Sequence, residues 1–200
     1  MNLMVFQSVA LILLMVFFAF ISDFRNKKGM IPLLNNKIIS FLKCIYIIPA
    51  LIYSFVIIKI EHILFPSYFG LIFTFIGTLL VIKAKLDLGK YHTWAGHILS
   101  STRIVTKGIY AFIRHPIYTG TCLFLSGGLI IGINNNPFSF FTSVGIIIFV
   151  CSFTFFLVDS AIKEGNFLQE MFGEKYLDYK RQVHAFLPIR KYDTESDIDE

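Results

Sequence analysis

Charged residues are scarce in this sequence of 200 residues: Asp, Glu, Lys and Arg together make up 16% of it, against about 25% in an ordinary soluble domain. Hydrophobic residues make up 56%, Phe alone occurs 23 times, and the mean hydropathy is +0.69. Such a chain cannot cover its apolar surface in water. The composition therefore excludes a soluble globular protein and predicts an integral-membrane protein.

Cysteine and histidine are too few and too scattered for two common kinds of site. Cys44, Cys122 and Cys151 all lie in apolar segments, and an odd number of such cysteines is not a disulfide framework. The five histidines form no HxxxH or HExxH pattern, so we expect no metal site. A basic run interleaved with polar residues is also missing, so the net charge of +5 does not indicate a nucleic-acid partner.

Five apolar segments are each close to the ~20 residues that a helix needs to cross the hydrocarbon core. The first has no basic segment before it and is longer than a typical signal-peptide core, so we expect a span there and not a cleaved signal. The predicted fold class is all-α, a polytopic membrane protein of about five transmembrane helices in one domain, 1–190, followed by an acidic disordered tail at 191–200. The predicted spans are 3–22, 38–60, 68–86, 117–134 and 138–159.

Lys and Arg are confined to alternate connections of this predicted bundle. They occur after the first, third and fifth segments, whereas the connections around 61–67 and 134–137 contain none. By the positive-inside rule, the N-terminus of this multi-pass protein is expected outside and the C-terminus in the cytoplasm. The polar region 87–116 and the amphipathic C-terminal segments then face the cytoplasm together, which predicts a cytoplasmic site capped by those segments.

The stretch from Gly108 to Gly120 has the composition of a site. Arg114, His115 and Tyr118 stand at the start of an apolar segment, where polar and cationic groups are costly and usually functional. Pro116 suits the first turn of a helix, and the positive end of that helix would favour a small anion. Trp94 lies in the preceding connection, where an interfacial belt residue and a site residue are both plausible roles.

A second polar region follows the last segment. Glu164 is the acid expected closest to the membrane exit, and an apolar stripe through Leu168 and Phe172 predicts a helix along the interface that ends at Gly173. Tyr176 and Tyr179 then mark a second short amphipathic helix.

The motifs, taken in order, resemble the integral-membrane family of isoprenylcysteine carboxyl methyltransferases and phospholipid N-methyltransferases. The resemblance covers about residues 68–190 and is most specific in an Arg-His-Pro-x-Tyr-x-Gly signature. The matching residues are Leu88-Gly89, Val105 to Tyr110, Arg114-His115-Pro116, Tyr118, Gly120, Glu164, Leu168, Phe172-Gly173, Tyr176, Tyr179 and Pro188.

The resemblance implies methyl transfer from S-adenosylmethionine to a lipophilic acceptor from the bilayer, most closely like an isoprenylcysteine carboxyl O-methyltransferase. It implies that Arg114, His115 and Glu164 are catalytic, with the carboxylate of the cofactor near Arg114 and its ammonium near Glu164. The cofactor-binding residues that it implies are Trp94, Gly108, Tyr110, His115, Pro116, Tyr118, Gly120 and Glu164. No Gly-rich Rossmann fingerprint is present, which excludes the soluble methyltransferase fold.

The chain departs from the family at one position, because Gly165 stands where the family has a second carboxylate. Asp159, one turn earlier, is a candidate substitute. Three other functions stay open: a phospholipid or small-molecule N- or S-methyltransferase, an NADPH-dependent sterol-type membrane reductase, and a non-catalytic membrane protein.

Two glycines in the fourth segment form a GxxxG pattern. Gly128 and Gly132 are four residues apart, and small residues at this spacing let helices pack closely in lipid. Packing within the chain is the simpler interpretation, and a homodimer through these glycines is the alternative.

Overall fold

The computed structural model of the protein describes residues 1–22, 27–45, 47–93, 97–135 and 140–188. Within these residues the chain forms seven α-helices and one two-stranded sheet. The predicted tail at 191–200 lies outside the described residues. The elements are α1 (Leu3–Ile21), β1 (Met30–Pro32), α2 (Asn36–Ile45), α3 (Ile47–Lys59), α4 (Phe65–Leu88), β2 (His97–Leu99), α5 (Pro116–Asn134), α6 (Phe140–Phe172) and α7 (Glu174–Gln182), with 3-10 turns at Gly89–Tyr91 and Gly108–Ala111.

Four of these helices, α1, α4, α5 and α6, are long and apolar enough to cross a membrane, which confirms a mostly helical, polytopic protein. The predicted span at 38–60 is occupied by α2 and α3, which lie on either side of residue 46, and this residue is outside the described ones; the span at 38–60 stays a prediction. α3 has 13 residues and is therefore about 20 Å long, whereas the hydrocarbon core is about 30 Å thick. α3 alone is therefore shorter than a full span.

The last span is longer than predicted. α6 has 33 residues and continues without a break past residue 159, so the expected separate interfacial helix after this span was a wrong prediction. The apolar residues Leu168 and Phe172 extend the spanning helix itself. The predicted end at Gly173 is confirmed: its φ of +55° lies in a region that favours glycine, and α7 begins at the next residue.

α4 and α5 pack antiparallel with their backbones in close contact. Gly70 faces Gly127, and Gly77 faces Gly120. A Cβ added at Gly70 would lie 2.7 Å from the carbonyl oxygen of Gly127, and one added at Gly77 would lie 2.5 Å from that of Gly120. Both helices space their glycines seven residues apart, or about two turns. The two pairs hold the end of α4 beside the start of α5.

The GxxxG glycines of the sequence analysis have other surroundings. A Cβ added at Gly128 would lie 2.9 Å from the ring of Tyr53 on α3, and one added at Gly132 would meet no atom within 4 Å. Gly128 therefore packs within the chain, and a homodimer through Gly128 and Gly132 stays a prediction.

α1 packs mainly against α4 and α3 and reaches α5 through a ring contact. The ring of Phe17 stacks on that of Phe124, with 3.9 Å between centroids. The Gln7 amide donates to the carbonyl oxygens of Ile57 and Ile60, at 2.9 and 3.2 Å. These carbonyls belong to the C-terminal end of α3, where the helix cannot pair them itself, so Gln7 fixes the end of the short helix.

The small sheet was not predicted from the sequence. β1 pairs antiparallel with β2, with Ile31 opposite Ile98. Each strand has only three residues, too few for a clear alternating pattern. The pairing ties the connection after α1 to the connection between α4 and α5, and so covers the candidate site described below.

Gly77→Ala is expected to destabilise the folded protein by about 1–3 kcal/mol, the usual cost of overpacking, because its Cβ would displace the backbone of α5. The matched control is Gly145→Ala on α6, where an added Cβ meets no atom within 4 Å. Removing this glycine should leave stability unchanged or raise it by up to ~1 kcal/mol. Thermal melting in one detergent measures both, and equal melting temperatures would contradict the close α4–α5 contact.

Candidate active site

The connection before α5 is anchored to the end of α4 by one carboxylate. Asp87 accepts a hydrogen bond of 2.8 Å from the backbone N–H of Ile109, and its other oxygen lies 2.5 Å from the ammonium of Lys83. Gly108 has a φ of +62°, and a Cβ there would overlap the Asp87 carboxylate. Glycine is thus required at 108 by the backbone and by this contact.

The start of α5 is held from the other side by the segment that follows α7. The backbone N–H groups of Arg114 and His115 donate to the carbonyl oxygens of His184 and Ala185, both at 2.9 Å. Pro116 is the first residue of α5, as predicted, since its missing N–H leaves nothing unpaired there. The signature residues therefore stand between two fixed backbone segments.

His115 is buried in the middle of this arrangement. Its side chain is 7% exposed, and its Nδ1 lies 4.0 Å from a carboxylate oxygen of Glu164 on α6, too far for a hydrogen bond. Burial, and then the nearby charge of Arg114, lower the pKa of His115 from 6.5 to about 3. The imidazole is therefore neutral at physiological pH.

Glu164 joins α6 to the start of α5. Its carboxylate lies close to the Tyr118 hydroxyl, and the ring of Tyr118 is 5.8 Å from that of His115. The side chain of Glu164 is 31% exposed, so it borders open space. An acid on one helix, a phenol on another and a neutral imidazole thus meet at one point.

α7 closes the site with two tyrosines. Tyr176 is almost fully buried and lies beside the guanidinium of Arg114. The Tyr179 hydroxyl donates to the backbone carbonyl of Tyr110 at 2.6 Å. Burial raises the pKa of Tyr110, Tyr176 and Tyr179, so all three phenols remain protonated at neutral pH and act as neutral hydrogen-bonding groups.

These side chains surround a cavity of about 160 Å³. Six of the predicted catalytic and cofactor-binding residues line it: Tyr110, Arg114, His115, Pro116, Tyr118 and Glu164. Gly108 and Gly120 do not, since Gly108 packs on Asp87 and Gly120 on Gly77. Trp94 lies outside the described residues. The structure thus brings the six side chains together, and their binding and catalytic roles stay predictions.

The cavity also has walls that sequence reasoning did not assign to the site. Tyr176 and Tyr179 line it from α7, and Arg103 lines it from the connection between β2 and α5. The guanidinium carbon of Arg103 lies 4.8 Å from the centre of the Tyr91 ring, which lines the cavity as well. The signal for Tyr91 and Arg103 was the density of aromatic and basic residues in 87–116, and that for Tyr176 and Tyr179 was the amphipathic pattern after Gly173. Neither signal says which side chains face inward.

The position that departs from the family has a structural explanation. A Cβ added at Gly165 would lie 3.3 Å from the Tyr176 hydroxyl, closer than most Cβ contacts, so Tyr176 occupies the space of a larger residue. Asp159 does not take the place of the missing acid at the cavity, because it pairs at 2.6 Å with Lys163 on an exposed part of α6. Glu164 is the acid that lines the cavity.

One polar atom at the site is left without a partner. The Nε of Arg114 is buried and makes no hydrogen bond within the part of the chain that the structure describes. A buried donor without a partner costs about 1–3 kcal/mol, and more when it is charged. An anionic group bound in the cavity would remove this cost.

Known proteins similar to this chain are membrane methyltransferases. A family model described as phospholipid methyltransferase matches residues 65–175. A probable protein-S-isoprenylcysteine O-methyltransferase of Oryza sativa subsp. indica is 27% identical over 133 residues. The protein-S-isoprenylcysteine O-methyltransferases of Xenopus laevis and Mus musculus are 31% and 29% identical over 135 and 138 residues. Each alignment covers 66% of this chain but 65%, 44% and 45% of the respective relatives, so the chain spans less than two thirds of their length.

The lowered pKa of His115 predicts a loss of stability in acid. Between pH 6.5 and about 3 the unfolded chain protonates this histidine and the folded protein does not, so the free energy of unfolding falls as the pH falls. The slope approaches ~1.4 kcal/mol per pH unit. His115→Gln, which cannot titrate, should show a shallower decline between pH 6.5 and 4 in detergent denaturation curves. His62→Gln at an exposed position is the control, and equal slopes for all three proteins would contradict a neutral buried His115.

Proposed function

This chain belongs to the phospholipid methyltransferase family, and we propose that it transfers a methyl group from S-adenosylmethionine to the carboxylate of a lipophilic acceptor of the isoprenylcysteine type. The observation that carries the proposal is the cavity lined by Arg114, His115, Tyr118 and Glu164 at one end of the apolar helices α4, α5 and α6. The relatives named protein-S-isoprenylcysteine O-methyltransferase support it. A cavity in this position is open to a polar methyl donor and to an acceptor with an apolar chain.

The residues of the cavity fit S-adenosylmethionine. Arg114, with its unpaired buried Nε, would bind the carboxylate of the methyl donor in a charge-assisted hydrogen bond. Glu164 would bind its ammonium, and the rings of Tyr110 and Tyr118 offer faces that attract a cation. When bound, S-adenosylmethionine supplies a methyl group that its sulfonium has already activated.

The remaining work for the protein is alignment. An ionised carboxylate is a nucleophile as it stands and needs no general base, so the site has to hold the two partners in line. Neutral His115, fixed between the backbone bonds of 114–115 and the ring of Tyr118, can donate or accept a hydrogen bond without adding charge. His115 would thus orient the partners, while Arg114 and Glu164 provide the charges.

The charges around the cavity favour an anionic acceptor over an amine. Its charged lining residues, in the described part of the chain, are Arg103, Arg114 and Glu164. None of the ion pairs among the described residues includes Arg103. If Arg114 binds the carboxylate of the donor and Glu164 binds its ammonium, the guanidinium of Arg103 remains available to the acceptor. A second cation would attract a carboxylate and repel the ammonium of phosphatidylethanolamine. This supports O-methylation over the alternative, a phospholipid or small-molecule N- or S-methyltransferase.

The proposed orientation puts the cavity in the cytoplasm, with the N-terminus outside. The support is the distribution of Lys and Arg, because α4 ends and α5 starts on the side where the basic connections lie. The methyl donor would then enter from the cytoplasm, and the acceptor from the bilayer.

The class of reaction is tested by the ligand that the purified protein binds. S-Adenosylhomocysteine supports a methyltransferase, NADPH would support the membrane reductase, and binding of neither would support a non-catalytic protein. Arg114→Ala should weaken S-adenosylhomocysteine binding by one to two decades, since a hydrogen bond to a charged group contributes about 1.5–3 kcal/mol. Arg181→Ala, at a position 65% exposed on α7, is the control. An unchanged dissociation constant in Arg114→Ala would remove Arg114 from the donor site.

Arg103→Ala should raise the KM for a prenylcysteine by about tenfold, the lower range for a lost charge-assisted contact, while the affinity for S-adenosylhomocysteine stays within twofold. The measurement is labelled methyl transfer to a prenylcysteine, phosphatidylethanolamine and a small thiol. Lys107→Ala, an exposed position on the same connection, should match the wild type. Faster methylation of phosphatidylethanolamine than of the prenylcysteine by the wild type would contradict an anionic acceptor.

A further inference from the structure

A second cavity lies between α3, α5 and α6, and we call it the apolar groove. Its volume is about 60 Å³. The groove is lined almost entirely by apolar residues, among them Ile52 and Val56 of α3, Leu125 and Gly132 of α5, and Ile146 and Phe149 of α6. α5 and α6 are long and apolar enough to cross the membrane, so we expect hydrocarbon chains around the groove.

The apolar groove continues the candidate active site along the seam between α5 and α6. On α5, Thr121 lines the active-site cavity and Leu125, one turn further, lines the groove. On α6, Phe153 lines the active-site cavity and Phe149, again one turn away, lines the groove. One turn is about 6 Å of helix. The two cavities therefore follow one another along the same pair of helices.

The open end of the groove depends on a residue without a side chain. Gly132 lines the groove, and a Cβ added there meets no atom within 4 Å, so a larger residue would have open space to occupy. Because lipid tails are as apolar as the groove, a chain gains nothing there from hydrophobicity alone. The groove can therefore select an occupant only by fit, which means by length and shape.

We infer that the apolar groove receives the far end of the hydrocarbon chain of the methyl acceptor, and that the space beside Gly132 sets the longest chain accepted. This inference rests on the proposed function. The acceptor carboxylate would lie at the active site, and its chain would follow the α5–α6 seam. From Leu157, which lines the active-site cavity, to Ile146 in the groove is about 16 Å of α6, a distance suited to an extended isoprenoid chain and not to a short thiol or amine.

The test compares two acceptors that differ only in chain length, N-acetyl-S-farnesylcysteine and N-acetyl-S-geranylcysteine. Gly132→Leu should raise the KM for the farnesyl acceptor at least about tenfold more than that for the geranyl acceptor, since single methylenes change binding in an apolar pocket by 10-fold or more. The matched control is Gly145→Leu on α6, whose added Cβ also has open space but does not line the groove; its ratio of KM values should equal the wild-type ratio.

A second variant makes the test independent of how well Gly132→Leu folds. Ile146→Ala widens the groove and should lower the KM for the geranylgeranyl acceptor relative to the farnesyl one. Unchanged KM ratios in both variants would overturn the inference and leave the groove to a bilayer lipid. The proposed function is judged separately on the wild type: if it binds no S-adenosylhomocysteine and methylates no prenylcysteine, the function and the inference both fail.

Discussion

The close contact of α4 with α5 is the constraint on which the site depends. At Gly70–Gly127 and Gly77–Gly120 the two backbones approach so closely that a single added carbon does not fit. Because the helices are antiparallel, the end of α4 and the start of α5 then lie at one level. Asp87 can reach Ile109, and the connection between the helices is drawn against α4, so that Arg114 and His115 enter α5 in a fixed position.

The C-terminal part of the chain provides the carboxylate of the site, on α6, and the helix that covers the site, α7. α6 is a single helix from Phe140 to Phe172, so Glu164 is carried by the same rigid element that crosses the membrane. The sharp break at Gly173 reverses the chain, and α7 brings Tyr176 and Tyr179 onto Arg114 and Tyr110. Three separate segments, which are the connection before α5, α6 and α7, therefore define one cavity.

Hydrophobic runs predicted the four long helices, because a run of about twenty apolar residues is most stable as a helix that crosses the membrane. The resemblance to the methyltransferase family implied that Arg114, His115, Tyr118 and Glu164 would meet. Which glycines pack against a neighbour could not be predicted, because that depends on the face that α5 turns to α4; Gly128 and Gly132 have a familiar spacing, but Gly120 and Gly127 make the contact. Nor could the three-residue strands or the inward direction of Arg103 be predicted, since each is decided by contacts distant in the sequence.

The attachment of residues 184 and 185 to residues 114 and 115 has a consequence for how this protein can evolve. The two bonds join main-chain atoms only, so they place no demand on the side chains of His184 and Ala185. Selection there acts on backbone conformation, and many residue types satisfy it. At 114 and 115 the same bonds exclude proline, which has no N–H to donate, even though proline follows directly at 116. Residues 184 and 185 can therefore change their side chains while continuing to hold the site in place.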